Sequence, residues 1–164
     1  MNELHSGTTN LKFYRALEWI VTLFTSNSID YLLVGGAAAY FYGSKRLIHD
    51  IDFYADLKDL EKINDLLNEY ITQKPMYYKD EYWDITFMKL FYQDQQIEIG
   101  DIHNCFIYDK KKNIWVKQLI DLQNFTEIKS GNITVKVMNK EQLIAYKNIL
   151  GRKVDIIDIQ NINN

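Results

Sequence analysis

The chain reads as an α+β domain spanning residues 1–164, a twisted mixed β-sheet with helices packed mainly on one face. Three observations predict this. An apolar run too short for a helix, Tyr31-Leu32-Leu33-Val34, stops at Gly35-Gly36, as a buried strand does. On either side of that region, apolar residues recur at helical spacing. From Trp83 onward the apolar period shortens toward two, and turn residues divide the chain into strands. No internal repeat, linker or low-complexity segment separates these parts.

The elements follow in order. The first ten residues are polar and are expected to be loose. Phe13, Leu17, Ile20, Val21 and Phe24 then mark a helix from Leu11 to about Asn27, with Asn10 as its cap. After the strand at 31–34, Ala37-Ala38-Ala39 predicts a small-residue helical turn, and a second strand covers 51–54. Asp56 is placed as the N-cap of a helix running to about Tyr70, striped by Leu57, Leu60, Ile63, Leu66 and Leu67. Pro75 marks a loop beyond it. Ile85, Phe87 and Lys89 alternate with Thr86, Met88 and Leu90, and a turn near Asp94-Gln95 returns the chain as Ile97-Glu98-Ile99, a β-hairpin. Gly100 is a candidate bulge, so side-chain parity is not extended to Asp101 and His103. Lys110-Lys111-Lys112 reads as a solvated turn, and Ser130-Gly131-Asn132 as a tight connection into a strand at 133–137. Asn139 followed by Gln142 is a capping pattern for a helix to Leu150 that Gly151 ends. A last helix from about Arg152 shows Ile156, Ile159 and Ile162.

Composition narrows the function. A net charge of −3 argues against a protein built to grip long nucleic acid, which normally presents a basic face. Cys105 is the only cysteine, so neither an intramolecular disulfide nor a cysteine zinc site is available. No apolar run approaches the length of a membrane helix, and the polar N-terminus is no signal peptide; the expected compartment is the cytoplasm.

Chemistry concentrates between Tyr31 and Tyr54. Gly35 and Gly36 carry no Cβ, so backbone there can approach a ligand closely and adopt positive φ. A helix opening at Ala37 would turn free N–H groups and its positive dipole end toward an anion above the glycines. Asp50 and Asp52 stand at i and i+2 in a strand, where side chains leave the same face about 6.6 Å apart. Two carboxylates beside a phosphate-ready turn can hold a divalent metal against a nucleotide. Either feature alone is ordinary, the glycines as a turn and the aspartates as solvated charges. A third acidic candidate, Glu98, lies between Ile97 and Ile99, where a lone charge needs a partner or an edge; Asp101 competes with it. His49 and His103 lack spaced metal-binding partners and read as non-catalytic. Tyr40 and Tyr42 are the tyrosines nearest these residues in sequence.

Val34-Gly35-Gly36 followed by Asp50-Ile51-Asp52-Phe53 resembles the signature of the DNA polymerase β-like nucleotidyltransferase superfamily. Gly43-Ser44-Lys45-Arg46 resembles its small bacterial branch, which includes lincosamide nucleotidyltransferases and toxin–antitoxin nucleotidyltransferase domains; Ile48 stands where that branch has threonine. The stretch Lys147…Arg152-x-x-Asp155-h-h-Asp158 is similar to the branch's tail. The resemblance implies transfer of a nucleoside monophosphate from an NTP, ATP first among them, to a hydroxyl, with pyrophosphate released and two Mg²⁺ ions engaged. It implies Asp50, Asp52 and Glu98 as metal-binding and catalytic residues. Gly35, Gly36, Arg46 and Lys147 are implied as nucleotide contacts, and Arg152 with Asp155 as a structural ion pair. A small hydroxylated acceptor such as an antibiotic suits the chain length and the missing basic face; tRNA, a partner protein, or a non-catalytic nucleotide-binding module of the same fold are the alternatives.

Overall fold

Four apolar residues are enough to bury a strand on both faces, and Tyr31–Val34 (β1) is buried throughout at the middle of a nine-stranded sheet. The computed structural model describes the backbone of residues 3–164 and the side chains of residues 11–164. β1 pairs antiparallel with Asp50–Ala55 (β2), setting Val34 opposite Asp52. The other strands are Ile71–Lys79 (β3), Trp83–Tyr92 (β4), Gln95–Asp101 (β5), Phe106–Asp109 (β6), Ile114–Lys117 (β7), Phe125–Ser130 (β8) and Ile133–Met138 (β9). Their order is β7-β6-β4-β5-β2-β1-β9-β8, with β3 added along β4. The β1–β9 and β2–β5 pairs are parallel and the rest antiparallel, so the sheet is mixed, as the sequence predicts.

Helices Glu3–Ser26 (α1), Gly35–Phe41 (α2), Leu57–Leu66 (α3), Lys140–Leu150 (α4) and Lys153–Ile162 (α5) complete the fold. The stripe predicted for α1 is its buried face: Phe13, Leu17, Ile20, Val21 and Phe24 are all in the core. Each such side chain contributes about 1.5–3 kcal/mol through burial. Phe24 meets Tyr31 and Phe53 ring to ring, which fixes α1 on one face of β1 and β2. On the opposite face, where Asp50, Asp52 and Tyr54 point, cover comes from α4 and is partial. The uncovered remainder forms a cleft.

Several local expectations change. α1 starts at Glu3 rather than Leu11. Met1 and Asn2, and the side chains through Asn10 with its proposed cap, lie outside the described residues. The helix capped by Asp56, which accepts from the Lys58 N–H at 3.0 Å, ends at Leu66, and a 3-10 turn follows at Asn68–Tyr70. Pro75 sits inside β3, not in a loop. The strand is an edge, and its register slips between Gln73 and Met76, so the missing N–H is tolerated there. The hairpin turn falls on Gln93-Asp94, both with positive φ, one residue earlier than predicted. Asn139 occupies the N-cap position of α4 without capping it; its amide joins Thr126 and Asn124 instead. Gly151 ends α4 at φ 59°, as predicted. In α5 Ile162 is buried and Ile159 half-buried, as the spacing predicts, but Ile156 is exposed and the inward face also carries Asp155 and Asp158.

Candidate functional site

Strand register builds the site. β2 and β5 run parallel with Asp52 opposite Glu98, and β4 runs antiparallel to β5 with Lys89 opposite Glu98. Asp50, Asp52 and Glu98 thus project from one face, and one ligand oxygen from each lies within 4.8 Å of the others. All three are half-buried. No bulge interrupts β5 at Gly100: Tyr54 pairs with Gly100 and Ala55 with Asp101 in unbroken register. Asp101, three residues beyond Glu98, therefore points to the other face. It is 1% exposed, with neither carboxylate oxygen hydrogen-bonded among the described residues.

The carboxylates differ in their company. Glu98 accepts from Gln96 at 2.8 Å and pairs with Lys89 at 3.0 Å, both through Oε1. Among the described residues, Asp52 has no such partner. Burial, then the charges of Asp50 and Glu98, push its carboxyl up to about 8, against the opposing pull of Lys147 and Arg152. Three crowded hard oxygen donors, one of them raised by burial and by the charges of the other two, fit a divalent cation such as Mg²⁺.

The glycines have a reason beyond ligand approach. Gly35 has φ +66°, and a Cβ there would lie 2.0 Å from Asp52 Oδ2. A Cβ on Gly36 would lie 2.1 Å from an Arg46 guanidinium nitrogen. The turn is bare because Asp52 and Arg46 occupy the space above it. The helix begins at Gly35 rather than Ala37, and the Gly35 N–H donates to the Tyr146 hydroxyl at 2.9 Å. Burial above all pushes that hydroxyl up to about 12, so it stays protonated.

Behind the turn lies a buried charge network. Asp158 accepts from Ser44 at 2.7 Å, Arg46 Nε at 2.8 Å and Lys147 Nζ at 2.8 Å. Burial opposes its charge, yet these hydrogen bonds bring its carboxyl below the usual carboxylate range. Lys147 also pairs with Asp155 at 3.3 Å, and Arg152 pairs with Asp155 at 2.7 Å, as the family resemblance implied. Lys147 lines the cleft at 1% exposure with its ammonium already on two aspartates. Arg46 also lines the cleft while tied to Asp158.

The cleft has a volume of about 330 Å³. Its second wall, missed in sequence, comes from Tyr78, Trp83, Ile85 and Phe87, with His49 at the rim. The period-two pattern of 83, 85, 87 and 89 was the available signal; what it could not supply was which face held the carboxylates. Tyr40 and Tyr42 are elsewhere: Tyr40 bonds Tyr14, and Tyr42 donates to the Met138 carbonyl. His103 pairs with Asp56 at the surface. Among the described residues, no helix is long and apolar enough to cross a membrane.

No protein-family model matches the chain, and no curated protein sequence does. Solved structures do. A Thermotoga maritima protein provisionally assigned as a nucleotidyltransferase superposes with a TM-score of 0.72 at 17% identity, covering 90% of each chain. An antigenic nucleotidyltransferase-like protein from Paracoccidioides brasiliensis gives 0.59 at 17% identity, covering 94% of this chain and 76% of the other.

Proposed function

We propose that a chain with this nucleotidyltransferase-like fold transfers a nucleoside monophosphate from an NTP, with ATP the first donor to test, to a hydroxyl of a small acceptor. The observation that carries the reading is the triad, with Asp50, Asp52 and Glu98 brought within 4.8 Å beside a glycine turn. Asp50, Asp52 and Glu98 would hold Mg²⁺, two ions in the fullest form, and bound metal supplies charge neutralisation at the entering and leaving oxygens. Gly35-Gly36 leaves room for Asp52 and Arg46 to lie over the turn, and Arg46, fixed by Asp158, brings positive charge for the phosphates beside the carboxylates. Lys147 contributes through the field it maintains there, since its ammonium is held by Asp155 and Asp158.

In the reaction the acceptor oxygen bonds to the α-phosphorus, the bond from that phosphorus to the β-phosphate breaks, and pyrophosphate leaves. The acceptor's proton passes to a carboxylate. Glu98 is the proposed acceptor of the proton; Lys89 and Gln96 engage its Oε1, which supports Oε2 in this role. Calorimetry with ATP in Mg²⁺ and in EDTA tests the reading, followed by transfer from α-labelled NTPs to hydroxyl compounds, tRNA and protein. Mg²⁺-dependent ATP binding is expected; no NTP affinity under either condition would remove the reading.

A further inference from the structure

The face that carries the triad changes character across the sheet. Asp50 and Asp52 on β2 and Glu98 on β5 form a charged side. Next along the ladder, Lys89, Phe87, Ile85 and Trp83 of β4 share that face, and Tyr78 of β3 stands opposite Ile85. Tyr78 meets Phe87 edge to face at 5.4 Å and is itself 41% exposed. Gly100 makes this continuity possible, since a Cβ there would come within 2.7 Å of Ile85. The cations of this wall are already paired, Lys89 with Glu98 at 3.0 Å and Arg152 with Asp155 at 2.7 Å. Lys89 lies 5.2 Å over the Phe87 ring, and the Arg152 guanidinium lies 6.0 Å from Trp83. Asp80, at the same rim, is already taken up by the Tyr78 hydroxyl and the N–H groups of Tyr82 and Trp83.

We infer that this wall is the acceptor subsite, and that the acceptor is a hydroxyl compound bearing an aromatic ring. The inference rests on the nucleotidyl-transfer reading for its geometry. Attacking and leaving oxygens stand roughly in line at the transferred phosphorus. Pyrophosphate leaving toward the glycine turn and Arg46 requires the hydroxyl to arrive from the opposite side of the triad, which is the Lys89–Phe87–Tyr78 side. A ring stacks on the exposed Tyr78 and the edge of Phe87. An acceptor without an aryl group, such as an aminoglycoside, has no ring to place on this surface.

The test titrates the full chain by calorimetry with p-nitrophenyl β-D-glucoside, phenyl β-D-glucuronide and tobramycin, and separately with Mg·ATP. Both aryl glycosides should bind and tobramycin should bind more weakly. Tyr78→Ala, a surface truncation, should weaken aryl glycoside binding roughly tenfold or more while leaving Mg·ATP affinity unchanged; Phe87→Leu should give a smaller loss of the same kind. Preference for tobramycin, absence of aryl glycoside binding, or a Tyr78→Ala variant that binds glycosides normally would overturn the inference. So would equal weakening of Mg·ATP, which would give the wall to the nucleobase. Tyr78-dependent glycoside binding without any Mg·ATP affinity would instead remove the nucleotidyl-transfer reading and leave the subsite standing.

Discussion

Asp52 makes the metal-free protein sensitive to pH in an unusual direction. Its carboxyl is pushed from an ordinary 3.8 to about 8 by burial and by Asp50 and Glu98. A group whose folded value is raised contributes stability that is fully present below its unfolded value and lost as pH rises through the folded one. Metal-free protein should therefore weaken between pH 4 and 8. From pH 5 to 8 the linkage gives about 3–4 kcal/mol, and partial hydration of the carboxylate trims this to about 2–3 kcal/mol. Asp52→Asn removes the titration at nearly constant shape, so its stability should be nearly flat over the same range and exceed wild type at pH 8. Urea unfolding in EDTA at pH 5, 6, 7 and 8 measures both proteins. Adding Mg²⁺ at pH 8 should restore wild type and leave the variant unchanged. Parallel stability profiles for the two proteins would refute the claim that burial and the neighbouring carboxylates raise Asp52 in the empty site.

The remaining predictions concern roles. Asp50→Asn, Asp52→Asn and the double variant should lose transfer to a similar extent in an α-labelled NTP assay, because residues acting as a unit are non-additive. Glu98→Gln should keep Mg·ATP binding by calorimetry and lose roughly 10²–10⁴-fold in turnover, whereas Asp101→Asn should keep its activity. Gly35→Ala should abolish Mg·ATP binding, since its Cβ would fall 2.0 Å from Asp52 Oδ2 at a φ of +66°; a variant with normal affinity would show that the turn relaxes freely. Asp158→Asn strips a buried partner from Lys147 and Arg46, and chemical denaturation should record a loss of about 3–5 kcal/mol.

Much of the fold was legible because its cues are local. The α1 stripe, the Asp56 cap and the Gly151 stop each depend on residues a few positions apart, and each appears where the pattern put it. Asp50 and Asp52 were legible for the same reason, since i and i+2 in a strand need no tertiary information. Long-range effects were not legible. Pro75 reads as a loop until β3 is known to be an edge strand. The α5 isoleucines imply an apolar inner face until Asp155 and Asp158 find Lys147, Arg46 and Arg152 there. The choice between Glu98 and Asp101 depended on whether Gly100 bulges, a question that only pairing with β2 and β4 answers.

That register also explains why the carboxylates sit on these three strands and in this order. Like charges directly opposite each other destabilise neighbouring strands, and Asp52 stands opposite Glu98. Lys89 on the far side of Glu98 offsets part of this repulsion by holding Oε1 at 3.0 Å. It does not reach Asp52, one strand further away, whose carboxyl is raised by burial first and then by the charges of Asp50 and Glu98. The ladder Asp52–Glu98–Lys89 is therefore balanced at one end and short of positive charge at the other. The shortfall falls beside the glycine turn, where Gly35 and Gly36 leave room for Asp52 and Arg46 and no side chain of their own. A cation binding there relieves repulsion already built into the sheet, so the affinity of the site for metal and the instability of the empty site have one physical origin.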